Sequence, residues 1–117
     1  MRTESKKLLF DIAKACAIQE FNSIGGVTEY SADDMRRAAT ERKFEIIGEA
    51  MVRLREADPA TFSRVPESHA IVGFRNRLVH GYDMVDDEVV WSIIRDRVWG
   101  LLRAADALLQ GPESVPS

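Results

Sequence analysis

An all-α, up-down bundle of four long helices, with one short helix allowed between the second and third, is the fold this sequence predicts. Three observations carry that expectation. Apolar residues recur at steps of three and four in four separate segments, no segment alternates with period two, and Gly or Pro punctuates the gaps.

The first helix runs from Glu4 to Ile24, with Leu8, Leu9, Ile12, Ala15, Cys16 and Phe21 as its apolar positions and Gly25-Gly26 as its stop. Ser31 offers an N-cap for the second, with Asp34 three residues on as a capping-box variant. That helix extends to about Ala57, carries a stripe of Met35, Ala39, Ile46, Ile47, Ala50 and Leu54, and closes at Asp58-Pro59, because proline disfavours α geometry in its predecessor. Pro59, Ser63 and Pro66 mark a connector with space for one short turn. A third helix starts near Ser68, carries Ile71, Phe74, Leu78 and Val79, and weakens at Gly81. Asp86 or Asp87 caps the fourth, where Trp91, Ile94, Val98, Leu101, Ala105 and Leu108 step along one face toward a stop at Gly111-Pro112. Residues 1–111 therefore read as one helical domain, and 112–117 as a flexible C-terminal tail. The two tryptophans of the last helix, Trp91 and Trp99, read as core in preference to a contact with another copy.

Composition narrows the function classes. The chain has 117 residues, 45% apolar and 30% charged, which suits one globular domain with a real core. No run approaches the ~20 apolar residues of a membrane span, and the N-terminal stretch "MRTESKKLLFDIAKACAIQEF" has no signal-peptide block, so a cytoplasmic location is expected. The lone Cys16 has neither a disulfide partner nor a CxxC mate and reads as core filler. A formal charge of −3 argues against nucleic-acid binding by the overall field and leaves local patches open.

The chemistry concentrates in "FRNRLVHGY", Phe74 to Tyr82. Asn76 and His80, four apart, share a helix face, whereas Arg75 and His80, five apart, diverge by roughly 140° on an unbroken helix. Two arrangements bring them together: unwinding near Gly81, or a second copy related by a two-fold axis. A guanidinium, an imidazole, a carboxamide and a phenol suit phosphate binding and proton transfer, and they lack the carboxylate cluster that magnesium needs. Imidazole groups, with a reference pKa of ~6.5, can take the proton of an RNA 2′-hydroxyl or protonate a leaving 5′-oxygen. An arginine can stabilise the phosphorane, so metal-free RNA transesterification is within reach of Arg75 and His80 with no cofactor. From spacing alone, an Arg-Asn-x-x-x-His run on a helix is more often a hydrogen-bonded surface or interface face. His69 reads as a surface or cap residue, and Arg36, Arg37, Lys43 and Arg77 as solvated helix faces in preference to an RNA track.

"RNRLVHGY" has the form R-x4-H-x-Y with Asn after the Arg, and it resembles the signature of the HEPN-superfamily ribonucleases of the HepT type. "FEIIGEA", 44–50, resembles that family's mid-helix stretch, and "VDDEVVW", 85–91, the start of its last helix. The resemblance spans most of 5–109 and implies a HEPN-like homodimer whose R-x4-H motifs face one another in a composite cleft. It implies an RNase toxin of a type VII toxin-antitoxin pair, with Arg75 and His80 catalytic and Asn76 supporting. It also implies an MntA-like minimal nucleotidyltransferase antitoxin as partner, neutralising the toxin by AMPylation of Tyr82. The alternative is a catalytically silent helical partner or scaffold of such a nucleotidyltransferase. This chain departs from the pattern at Asp83-Met84, where an aromatic residue and glycine are common, and at Glu67, where tryptophan commonly follows the proline.

Overall fold

Eight helices and no strand occur among the residues that the computed structural model describes, 1–23, 25–81 and 85–111. They are α1 (Thr3–Ala15), α2 (Ile18–Phe21), α3 (Val27–Ala32), α4 (Asp34–Ala57), α5 (Pro59–Arg64), α6 (Ser68–His80), α7 (Asp87–Asp96) and α8 (Val98–Gln110). The expected all-α bundle stands, with the first and last long helices each broken once: α1 and α2 are separated at Cys16-Ala17, and α7 and α8 at Arg97. Residues 112–117, expected as a flexible tail, lie outside the described residues.

Helix α4 is the spine. It packs on α1 along one side and on α6 along another, while α1 in turn packs on α8. The order α8, α1, α4, α6 gives a molecule of 50 × 28 × 19 Å and leaves α6 at one edge. The core between these helices is apolar: Leu9, Ile12, Met51 and Leu54 are fully buried where α1 and α4 meet, and Val98, Ala105 and Leu108 carry α8 into it. At about 25 cal/mol per Å² of apolar surface removed from water, this burial is the main term holding the helices together. Burial pushes the Cys16 thiol up to about 12, with Asp106 adding to the shift, as fits a sulfur that fills core.

Three expectations are corrected here. Ser31 does not cap the second long helix, because it lies inside α3; Asp33 is the cap, accepting the Arg36 N–H at 2.9 Å. The chain enters α3 first because the Glu29 carboxylate accepts the Gly26 N–H at 2.9 Å, a bond that holds its pKa below the usual carboxylate value. Met35 and Ala39 do not belong to the buried stripe of α4: Met35 is 83% exposed, and Thr40, Phe44, Ile47 and Met51 face inward instead. The inward side at Thr40 is fixed by Asn22, whose side-chain amide donates to Thr40 Oγ1 at 3.0 Å and whose carbonyl accepts from Arg36 Nε at 2.7 Å. Trp99 is 51% exposed, so only one of the two tryptophans packs inward. Trp91 is half-buried, with its ring 5.6 Å from the fully buried Tyr30 ring and beneath the Arg36 guanidinium at 5.9 Å. Burial, aided by Glu41 and Asp87, pushes the Tyr30 hydroxyl pKa up.

The connector after α4 is a helix with its own cap. Asp58 accepts from Thr61 N at 3.2 Å, from Thr61 Oγ1 at 2.7 Å and from Ser5 Oγ at 2.8 Å, tying α5 to the start of α1. These bonds favour the ionised carboxylate and hold its pKa below the ordinary 3.8. Their contribution is therefore present above that ordinary value and is lost as pH falls through the lower folded value. Asp58→Ala is expected to lower stability by about 1 kcal/mol near neutral pH. The difference from the parent protein should shrink in urea unfolding repeated at ~pH 3.

Candidate active site

Helix α6 carries the motif, and local chemistry sets both its ends. It begins after Pro66-Glu67, where Glu67 takes a left-handed conformation (φ 58) and pairs with Arg97. It ends at Gly81, whose N–H donates to the Arg77 carbonyl at 2.9 Å. Val72 and Leu78 are buried against the bundle, and the Phe74 ring meets the Phe44 ring edge-on at 5.2 Å and 86°. Ile71 and Phe74 are only half-buried and Val79 is exposed, so the expected apolar stripe of this helix is turned partly outward.

Arg75 is half-buried and leans on α4. Its Cβ and Cγ lie over Gly48, and its Nη1 donates to Asn76 Oδ1 at 3.1 Å. The Arg75 Nε is buried without a hydrogen-bond partner among the described residues. Leaving such a donor unmatched in the folded protein costs roughly 1–3 kcal/mol.

Asn76 and His80 are exposed and line one cavity of about 600 Å³ with Gly81, Val85, Asp86 and Val90. Arg75 is not among its lining residues. Because α6 stays regular through His80, unwinding does not bring the imidazole round to Arg75, and the two side chains leave the helix roughly 140° apart. One chain thus joins Arg75 to Asn76, and Asn76 to His80, without joining the two ends. Tyr82, with Asp83 and Met84, lies outside the described residues.

A second, larger groove of about 880 Å³ runs along the open flank of α6 toward α7 and α8. Its walls are mainly apolar, with Ile47, Ile71, Ile93 and Leu101, and it shares Phe74, Arg77 and Val89 with the cavity of Asn76 and His80. Gly73 and Gly100 both line it, and a Cβ built on either would meet nothing within 4 Å.

Other basic residues are partly committed to structure. Arg37 pairs with Asp34 and, at 3.7 Å, with Asp87, while Arg36 serves Asn22 and Trp91. Lys43 is exposed, and Arg77 lines both cavities. His69 sits on the surface with its ring 5.1 Å from Phe62. Among the described residues, no group of three or more His, Cys, Asp or Glu side chains is placed to hold a metal ion, and no helix is long and apolar enough to cross a membrane. Sequence reasoning missed Gly48 and the groove glycines; a glycine inside a helix, at a cost of about 1 kcal/mol against alanine, was the available signal.

Comparison with known proteins gives a consistent picture. The family model described as "Ribonuclease HepT-like" matches residues 12–108. A Methanocaldococcus jannaschii protein named "Putative RNase MJ1380" is 32% identical over 98 residues, covering 83% of this chain and 89% of the relative. A Thermococcus cleftensis protein named "Probable ribonuclease HepT" is 31% identical over 102 residues, covering 84% and 89%. No solved structure gives a significant match.

Proposed function

From the premise that this chain belongs to the HepT-like ribonuclease family, we propose that it is a metal-independent endoribonuclease acting through Arg75 and His80. The observation that supports this most is the open cavity that Asn76 and His80 share, with Arg75 bonded to Asn76 beside it. In the reaction, an imidazole takes the proton of the RNA 2′-hydroxyl as that oxygen attacks the adjacent phosphorus. The bond from phosphorus to the 5′-oxygen breaks, and the leaving oxygen receives a proton from an imidazolium. The products are a 2′,3′-cyclic phosphate and a 5′-hydroxyl. Arg75 stabilises the charge that builds on the non-bridging oxygens. The guanidinium and imidazole nitrogens at this site supply both roles without a metal ion.

The site is composite in this reading. Arg75 and His80 diverge within one chain, so a two-fold partner places its own pair across a shared cleft. The apolar groove on the flank of α6 is a suitable seat for that copy, since it shares Phe74, Arg77 and Val89 with the cavity of His80 and its two bare glycines admit a close helix approach. The protein then acts as the toxin of a toxin-antitoxin pair, and a small nucleotidyltransferase attaches AMP to Tyr82: the phenol oxygen attacks the α-phosphorus of ATP and pyrophosphate leaves. Phosphates two residues from His80 would compete for the cations of the cleft.

Purified protein incubated with RNA in EDTA is expected to yield cyclic phosphate termini. Intact RNA would point instead to a silent partner of the nucleotidyltransferase. With that enzyme and ATP, the mass should rise by whole AMP units, and an equal rise in Tyr82→Phe would exclude the phenol as acceptor.

A further inference from the structure

We infer that Gly48, in the middle of α4, is a positioning residue for Arg75: its missing side chain forms the slot that holds the arginine stem. This inference rests on the ribonuclease reading above and adds a residue that the motif itself does not contain. A Cβ at position 48 would fall well inside 3.0 Å of both Cβ and Cγ of Arg75 and 3.4 Å from its Cα. These are the root of the side chain and the backbone of α6. They cannot swing aside as the tip of a flexible side chain would. Any residue other than glycine must therefore move α6 as a body, and the arginine with it.

The far end of the slot is equally defined. Arg75 Nε is buried with no hydrogen-bond partner among the described residues, while Nη1 reaches Asn76 Oδ1 at 3.1 Å. The side chain is thus held at its root over Gly48, its Nε is shut away from solvent, and Nη1 emerges beside Asn76. Holding a long side chain in one geometry before substrate arrives removes the ordering cost at the moment of reaction, and it makes the rate sensitive to small displacements. The slot also explains a glycine at a buried position of the longest helix, where alanine is the better helix former.

The test is a double-mutant cycle on RNA cleavage, with folding checked by circular dichroism. Gly48→Ala is expected to lower kcat by roughly 10²-fold with little change in KM. In an Arg75→Gly background the same substitution should cost nothing further, because both atoms it would strike, Cβ and Cγ of residue 75, are gone. Retention of full kcat in Gly48→Ala, or losses that multiply in the double variant, would overturn the inference. If Gly48→Ala does not fold, the parent protein decides by NMR. The Arg75 Nε–H should exchange with solvent at least roughly tenfold more slowly than that of the exposed Arg103, and equal exchange would overturn the slot. If the parent protein cleaves no RNA, the nuclease reading fails on its own. The exchange measurement then still supports or overturns the grip on Arg75.

Discussion

His80→Ala is expected to reduce RNA cleavage by about 10²–10⁴-fold, the range that a positioned general acid or base contributes. The effect should fall on chemistry and leave the fold intact. His80 occupies the last turn of α6, is exposed, and lines the cavity with Asn76, so truncating it opens no hole in the core. Exposed substitutions of this kind usually change stability by less than about 0.5 kcal/mol. The measurement is the rate of appearance of cyclic phosphate ends in EDTA, with thermal unfolding of parent and variant compared in parallel. Cleavage that persists within tenfold of the parent would remove His80 from the reaction. In a two-fold site, mixed dimers of parent and variant chains would further tell whether one imidazole per cleft is enough.

Gly73→Glu should separate assembly from folding. Gly73 faces the open groove on the flank of α6, and nothing in its own chain obstructs a side chain there. Within a single chain the change replaces the poorest helix former apart from proline, a gain of roughly 0.5–1 kcal/mol. Against a second copy seated in the groove, it buries an unpaired carboxylate among Ile71, Ile93 and Leu101, which costs several kcal/mol. Light scattering should therefore report a monomer that circular dichroism shows still to be helical, and cleavage should fall with the loss of mass. A variant of unchanged mass and unchanged activity would place the second copy on another face. The parent protein behaving as an active monomer would remove the composite cleft altogether.

The fold was legible where chain-local chemistry decides it. Helix α6 runs from Ser68 to His80 as expected, because Pro66 and Gly81 act on their own neighbours. Asp86 caps α7, accepting the Glu88 N–H at 2.9 Å, and α8 stops before Gly111. The breaks at Cys16-Ala17 and Arg97 were not legible, since no glycine or proline marks them and the apolar steps continue across both. At the first break, packing decides: turning the chain lets Ile18 enter the core and brings Asn22 to Thr40 and Arg36, while Phe21 is left 58% exposed. Ser31, Asp33 and Asp34 are all competent caps, and which one acts depends on where α3 has already ended. The motif was readable as residue types at a spacing. Its support was not, because Gly48 meets Arg75 only where two helices distant in sequence cross.

The packing of Trp91 against Tyr30 and Arg36, with Trp99 exposed, gives the chain two unlike indoles. Ultraviolet-excited emission from Trp99 comes from a water-relaxed ring within reach of dissolved quenchers. Emission from Trp91 comes from a shielded ring whose colour is tied to the seating of α7 on α3. Removing the outer indole leaves Trp91 as the one indole, which, excited beyond tyrosine absorption, reads without any attached label how α7 sits on the rest of the molecule.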